Sequence, residues 1–316
     1  MNDTPTGIHH ITAIAGDPQE NLDFYAGVLG MRLVKRSVNQ DSPGTYHFFF
    51  ADADGHPGTD LTFFPWPDMG PGQQGTGKAS EISLAVPEGS LDYWSTRLAH
   101  YGAVIGQPEV RRGLRTLPVA DPHGLPLALA ETPERREFTA WERGSVPSER
   151  QIRGLHSLRA DVLSLQPSEK FLTETLGFTA IGTEGRWHGY ALGDGGSGKY
   201  IEIRETPEAP RGEWGVGSMH HVAWRVPDDA AELAVRKRVA AAGRRPTDVI
   251  DRFWFKSVYF QEPGGVLFEL ATDGPGFATD EDHGALGEKL VLPPWLESHR
   301  REIEAVLPPV ELREFP

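Results

Sequence analysis

Gly217-Ser-Met-His-His-Val-Ala-Trp224 decides how the rest of the chain is read, because its His-His pair recurs near the other end in Gly7-Ile-His-His-Ile-Thr12. Two copies of one strand imply one site assembled from both ends of the chain. Behind the second copy, Tyr259 leads through the turn Pro263-Gly264-Gly265 into Val266-Leu-Phe-Glu-Leu270, an apolar strand whose only carboxylate is Glu269. Two imidazoles and one carboxylate form the donor set of a facial triad, the usual holder of non-haem Fe(II).

Working outward from these strands, four segments share one pattern: a strand, an amphipathic helix closed by an apolar or aromatic residue and Gly, then further strands. The closing glycines, Gly30, Gly102, Gly177 and Gly243, lie 72, 75 and 66 residues apart. This period fits a βαβββ unit of about sixty residues with variable loops. Four units make two tandem domains of an α+β fold. In the first unit Ile8 to Ile14 is a strand, and Asp17-Pro18-Gln19-Glu20 supplies a cap, a proline at the first helical position and a capping-box glutamate. The boundaries that follow are 1–132 for the N-terminal domain, 133–153 for a polar linker, 154–273 for the C-terminal domain, and 274–316 for a tail with a helix from Trp295 to Val306 packed over the barrel mouth.

Composition narrows the chemistry. Asp and Glu exceed Lys and Arg by 14, which argues against nucleic acid or an anionic membrane as partner. No apolar run is long enough to span a bilayer, and the N-terminal residues lack the charged and apolar regions of a signal peptide, so a cytoplasmic location is expected. With no cysteine, disulfides, thiolate catalysis and sulfur-ligated metals are excluded, and a metal must use His, carboxylate or water.

The repeated βαβββ pattern, with His-His at a strand start and Glu on a last strand, resembles the vicinal oxygen chelate (glyoxalase/bleomycin resistance/extradiol dioxygenase) superfamily over residues 7 to 272. Within it the chain is similar to ring-cleaving dioxygenases that act on hydroquinones. The likeness runs through the two His-His strands, Gly30-Met-Arg-Leu-Val-Lys-Arg36, Phe50-Ala-Asp52 with Pro57-Gly58-Thr59, Tyr259 with Pro263-Gly264-Gly265, and Gly276-Phe-Ala-Thr-Asp-Glu-Asp282.

What the resemblance implies is an Fe(II)-dependent enzyme inserting both atoms of O2 into a para-dihydroxylated ring. Iron would be held by His10, His221 and Glu269, with Mn(II) left open as the native metal. It further implies that Tyr259 donates to a developing oxyanion, that Arg252 sets a fixed charge near the pocket, and that His9 and His220 lie close to the site. The four modules would form two cup-shaped mixed β-sheet barrels. Because His10 and His221 are 211 residues apart, the first and fourth modules must share one cup, leaving the second and third the other.

Aligning the repeats sets Glu81 at the position of His221, Ser157 at that of His10, and Glu202 at a last-strand position like that of Glu269, so the second cup keeps acids but no imidazole pair. Thr62 stands where a glyoxalase-like relative shows a fourth ligand, which favours three ligands and open coordination positions.

Strand alternation alone turns His9 and His220 away from a metal faced by His10 and His221. It sets Thr12 on the ligand face, where a contact with substrate or ligand and a plain β-branched strand former stay equally open. His47, His100, His123, His156 and His188 are read as structural, and only some of Phe253, Trp254 and Phe255 can face a pocket. Rival readings are a catechol dioxygenase, a glyoxalase-type metal-dependent isomerase or lyase, and a metal-free binder of an aromatic ligand. The particular substituted ring and the oligomeric state, a homo-oligomer included, are not fixed by the sequence.

Overall fold

The structure is a computed structural model that describes residues 4–133 and 136–315. Met1, Asn2 and Asp3, Glu134 and Arg135 in the linker, and Pro316 at the end of the tail lie outside the described residues.

The first module comprises strand β1 (Gly7–Ala15), helix α1 (Pro18–Leu22) continued by a π-helical turn, and strands β2 (Arg32–Asn39), β3 (Ser42–Ala51) and β4 (Asp60–Pro65). Its helix starts where the cap chemistry says it should, since Asp17 Oδ1 accepts from the backbone N–H groups of Gln19 and Glu20. The second module holds β5 (Lys78–Pro87), α2 (Leu91–His100), the short β6 (Val104–Ile105) and β7 (Glu109–Arg111), then β8 (Leu114–Ala120) and β9 (Pro126–Thr132). The third runs through β10 (Gly154–Val162), α3 (Leu165–Lys170), β11 (Thr179–Glu184), β12 (Trp187–Ala191) and β13 (Tyr200–Glu205). The fourth has β14 (Ser218–Val226), α4 (Asp229–Ala241), β15 (Ile250–Asp251), β16 (Lys256–Gln261) and β17 (Leu267–Thr272). All four glycines that mark the period have φ between 67° and 80°, a left-handed conformation that ends each helix and that glycine adopts without a Cβ clash.

The strands form two mixed sheets, each curled into a cup. One is eight-stranded, in the order β15-β16-β17-β14-β1-β4-β3-β2, and joins the fourth module to the first. The other, β11-β12-β13-β10-β5-β9-β8-β6 with β7 on β8, joins the third to the second. The pairing demanded by the separation of His10 and His221 is therefore the one adopted.

A single apolar cluster runs through all four modules, taking Ile11 and Leu158 from the first strands, Trp94 and Leu98 from α2, and Val235 and Val239 from α4. Full burial of each such side chain contributes about 1.5–3 kcal/mol. Among the described residues no helix is long and apolar enough to cross a membrane.

The tail departs from the single helix expected over Trp295 to Val306. A 3-10 segment, Pro294–His299, precedes α5 (Arg300–Val306). Of this stretch only Ile303 is buried, too narrow an apolar stripe to stabilise continuous α-helix. Upstream, Gly276 to Asp280 lies across the gap between the eight-stranded sheet's two edges: Gly276 N–H donates to Trp254 O just beyond β15, and Phe277 O accepts from Lys35 on β2.

Candidate metal centre

β1 and β14 pair antiparallel at the middle of the eight-stranded sheet, with Thr12 opposite His221. The register slips twice, so that His9 on β1 and His220 on β14 are each an extra residue without an opposite partner. A bulge suspends the in-out alternation of a strand. The expectation that His9 and His220 face away from the site therefore fails: His9 Nδ1 lies 2.9 Å from His10 Nδ1, and His220 Nδ1 lies 2.8 Å from His221 Nδ1. Burial first, then the neighbouring imidazole, pushes both His9 and His220 down to about 3. Each is a neutral ring able to accept the Nδ1 proton of its neighbour, which frees the neighbour's Nε2 lone pair.

Those freed atoms converge with Glu269. His221 Nε2 lies 2.9 Å from Glu269 Oε2, His10 Nε2 lies 3.4 Å from it, and the two Nε2 atoms are 3.4 Å apart. All three residues are buried. Glu269 Oε2 is inaccessible to solvent and makes no hydrogen bond of proper geometry. An orphaned, buried carboxylate oxygen is costly, and a cation at that point removes the cost. A metal bound at about 2.1 Å sets neighbouring ligand atoms roughly 3 to 3.4 Å apart, so the residues fit such an ion. Burial favours the neutral acid at Glu269, but the facing His10 and His221 outweigh it and hold the carboxyl well below its usual range. Its other oxygen, Oε1, accepts from Ser257 Oγ at 2.5 Å.

Thr12, at the foot of the triad, has its Oγ1 2.9 Å from His221 Nε2 and 2.7 Å from Thr62 Oγ1. Thr62 in turn lies 3.0 Å from His47 Nε2. The triad opens onto a cavity of about 30 Å3 whose walls include His47, Phe49, Phe64, Trp254, Phe255 and Tyr259. Arg252 and the β2–β3 turn, Asn39 to Asp41, line its outer part. Tyr259 pairs with Glu269 across β16 and β17, and burial followed by the Glu269 charge pushes its phenol far up, so that it stays a donor. Arg252 is held by Asp41 through contacts of 2.8 and 3.2 Å, with its guanidinium carbon 5.4 Å from the centre of the Tyr259 ring.

The sequence reading missed His47, taken as structural. Its ring is packed on Phe49 and Phe64 with centroid distances of 3.8 and 4.4 Å. Burial, then the neighbouring His10, His221 and Arg252, keep it neutral, well below the usual histidine range. The available signal was period two on β3: Phe48 and Phe50 enter the apolar core, which turns His47 and Phe49 to the opposite face. Of the three aromatics after Arg252, Trp254 and Phe255 line the cavity and Phe253 does not.

The second cup preserves the bulges, at His156 and Ser80, but its chemistry is ionic. Glu81 is bound by Arg111, and Glu202 by Arg112 and Arg159 at 2.7 and 2.9 Å. His156 Nε2 meets Tyr200 OH at 2.6 Å.

Residues 7–129 and 155–270 match the family model described as the glyoxalase/bleomycin resistance protein/dioxygenase superfamily. The chain belongs to that superfamily. Among relatives in this superfamily, a Bacillus subtilis protein provisionally named as the ring-cleaving dioxygenase MhqO is 44% identical, over 98% of each chain. The chlorohydroquinone/hydroquinone 1,2-dioxygenase of Sphingobium indicum is 32% identical, over 94% of each. A crystal structure of a Bacillus subtilis protein, provisionally titled a dioxygenase, superposes with a TM-score of 0.92 at 42% identity, covering 98% of this chain and 99% of that one. Glyoxalase I of Zea mays has a TM-score of 0.63 at 16% identity, covering 84% and 92%, and shares the fold.

Proposed function

We propose that this chain is an Fe(II)-dependent ring-cleaving dioxygenase that inserts both atoms of O2 into a hydroquinone-type ring. The observation that carries this reading is the buried convergence of His10, His221 and the orphaned Glu269 Oε2 on one point that opens onto an aromatic-walled cavity. The named activities of the relatives support the same chemistry. Thr62, a weak ligand at the fourth position, bonds to Thr12 and His47 instead, which counts against a four-ligand glyoxalase-type centre.

His10, His221 and Glu269 would hold the iron, which when bound supplies a redox centre joining the electrons of an aromatic ring to O2. The protein's own share begins with His9 and His220, which fix the tautomer and ring plane of the two ligand imidazoles. Thr12 backs the triad from its foot, its hydroxyl linking His221 to Thr62. The protonated Tyr259 donates to an oxygen gaining negative charge, and Arg252 contributes a fixed positive charge at the outer end of the same cavity. Phe49, Phe64 and Trp254 exclude water and hold the ring, so that the reacting groups meet already oriented.

The test is metal analysis of protein purified without air, followed by oxygen-electrode traces with hydroquinone and with catechol. About one iron per chain and hydroquinone-driven O2 uptake are expected. Bound nickel or zinc with no uptake would overturn the reading in favour of isomerase or lyase chemistry, and uptake with catechol alone would change the substrate class.

A further inference from the structure

Two stretches, Gly30 to Arg36 and Gly276 to Asp282, contribute nothing to the triad, yet they meet. Lys35 on β2 has a side chain 0% exposed. Its ammonium finds three acceptors, all in the tail: Phe277 O at 2.9 Å, Asp280 Oδ1 at 2.7 Å, and the Glu281 carboxylate. A buried ammonium whose three N–H groups are all engaged is a fixed point of the structure.

The same Asp280 Oδ1 accepts from Trp254 Nε1 at 3.0 Å. Lys35 Nζ lies 5.2 Å from the centre of the Trp254 indole, and Trp254 O accepts from Gly276 N–H at 2.8 Å. Phe49 packs edge-on against both Trp254 and Phe277. The tail thus holds the indole by its N–H, and the Trp254 backbone by its carbonyl, while the ring itself walls the triad's cavity.

The outer wall is held less firmly. Arg252, itself only 14% exposed, is tied there to Asp41, whose carboxylate is 74% exposed, so the pair is open to salt screening from the Asp41 side. A cavity of about 30 Å3 is far from the roughly 150 Å3 that admits benzene, so a ring enters only when a wall yields. Of the two sides, the Trp254 side is the one tied to a buried ammonium, through Asp280.

We propose that Trp254, Lys35 and Asp280 form a specificity-determining unit: Trp254 is the fixed wall against which the substrate ring packs, and Lys35 and Asp280 are the positioning residues that hold it. The proposal rests on the reading of the site as one for an aromatic ring. The indole then limits how bulky a ring substituent is admitted.

The experiment measures kcat and KM for hydroquinone and for tert-butylhydroquinone, alongside calorimetric binding of phenol and 4-tert-butylphenol to the iron-loaded protein under argon. In Asp280→Ala the KM for hydroquinone should rise about tenfold with kcat within about twofold. The discrimination between bulky and unsubstituted rings should relax about tenfold in both kcat/KM and phenol affinity. Asp280→Asn, which keeps an oxygen acceptor for Trp254 Nε1, should restore the discrimination. Trp254→Phe should relax it as Asp280→Ala does, and the double variant should go no further. Should Asp280→Ala fail to fold, Trp254→Phe and Asp280→Asn still decide the matter. Wild-type discrimination retained in Asp280→Ala or Trp254→Phe, whatever happens to the melting temperature, would overturn this inference alone. A wild type that binds no phenol would overturn the aromatic-ring reading and this inference with it.

Discussion

At the scale of single residues, the site depends on partners that touch the ligands rather than on the ligands alone. Ser257 is the clearest case, since its hydroxyl donates to Glu269 Oε1 and so turns Oε2 toward the two imidazoles. Ser257→Ala should weaken iron binding about 10- to 100-fold and also lower the melting temperature of the metal-free protein, because Glu269 Oε1 loses its buried donor; competition with a chromophoric chelator measures the affinity, and an unaltered affinity would remove Ser257 from the site. Tyr259 makes a separate test, because its phenol remains protonated across the working pH range. Tyr259→Phe should lower kcat by roughly 100-fold with iron content unchanged, and a loss of iron instead would show that the hydroxyl supports the metal centre rather than a substrate oxygen.

At the scale of elements, what was legible in the sequence was what local chemistry fixes. The cap at Asp17, the four closing glycines and the apolar strand around Glu269 each depend on neighbours a few positions away. For His47 only half was legible: period two on β3 sets it on the face away from the apolar core, but that this face meets the cavity depends on module 4, some two hundred residues later. The bulges at His9 and His220 were not legible, because they arise from the β1–β14 register and not from any residue type. The same contrast appears in α4. Asp228 caps it by the same local chemistry as Asp17, accepting from Ala231 N–H, but one turn on Glu232 is buried with both carboxylate oxygens unpartnered. Burial first, then the charges of Asp229 and Glu269, push this carboxyl up to about 7 from an ordinary 4.5. The folded protein therefore holds a proton there that the unfolded chain has released. The stability linked to it is fully present below pH 4.5 and is lost as pH rises through 7. Glu232→Gln removes that loss, so the variant should be more stable than wild type at pH 8, by up to about 3 kcal/mol, and indistinguishable at pH 4. Denaturant melts at the two pH values check this, and equal gains at both would mean that Glu232 is ionised in the fold.

At the scale of the whole molecule, the metal point lies on a seam between modules that are most distant in the chain. His10 comes from the first module, His221 and Glu269 from the fourth, and β1 pairs with β14 to bring them together. The second cup repeats the arrangement, with β10 on β5, so each half of the chain supplies half of both cups. A polypeptide ending after Ser148 would leave β1 and β5 without their antiparallel partners, and one starting at Glu149 would leave β10 and β14 in the same state. Such unpaired edges, backed by apolar faces, favour aggregation. The two fragments expressed separately should therefore be insoluble or free of iron. Expressed together, they should copurify through a tag on one of them, carry about one iron per pair, and recover hydroquinone-dependent O2 uptake, because the break falls in an exposed polar stretch and every ligand and cavity residue is retained. Stoichiometric iron on the C-terminal fragment alone would mean that His221 and Glu269 complete a centre without His10, and the shared cup would lose its role in metal binding.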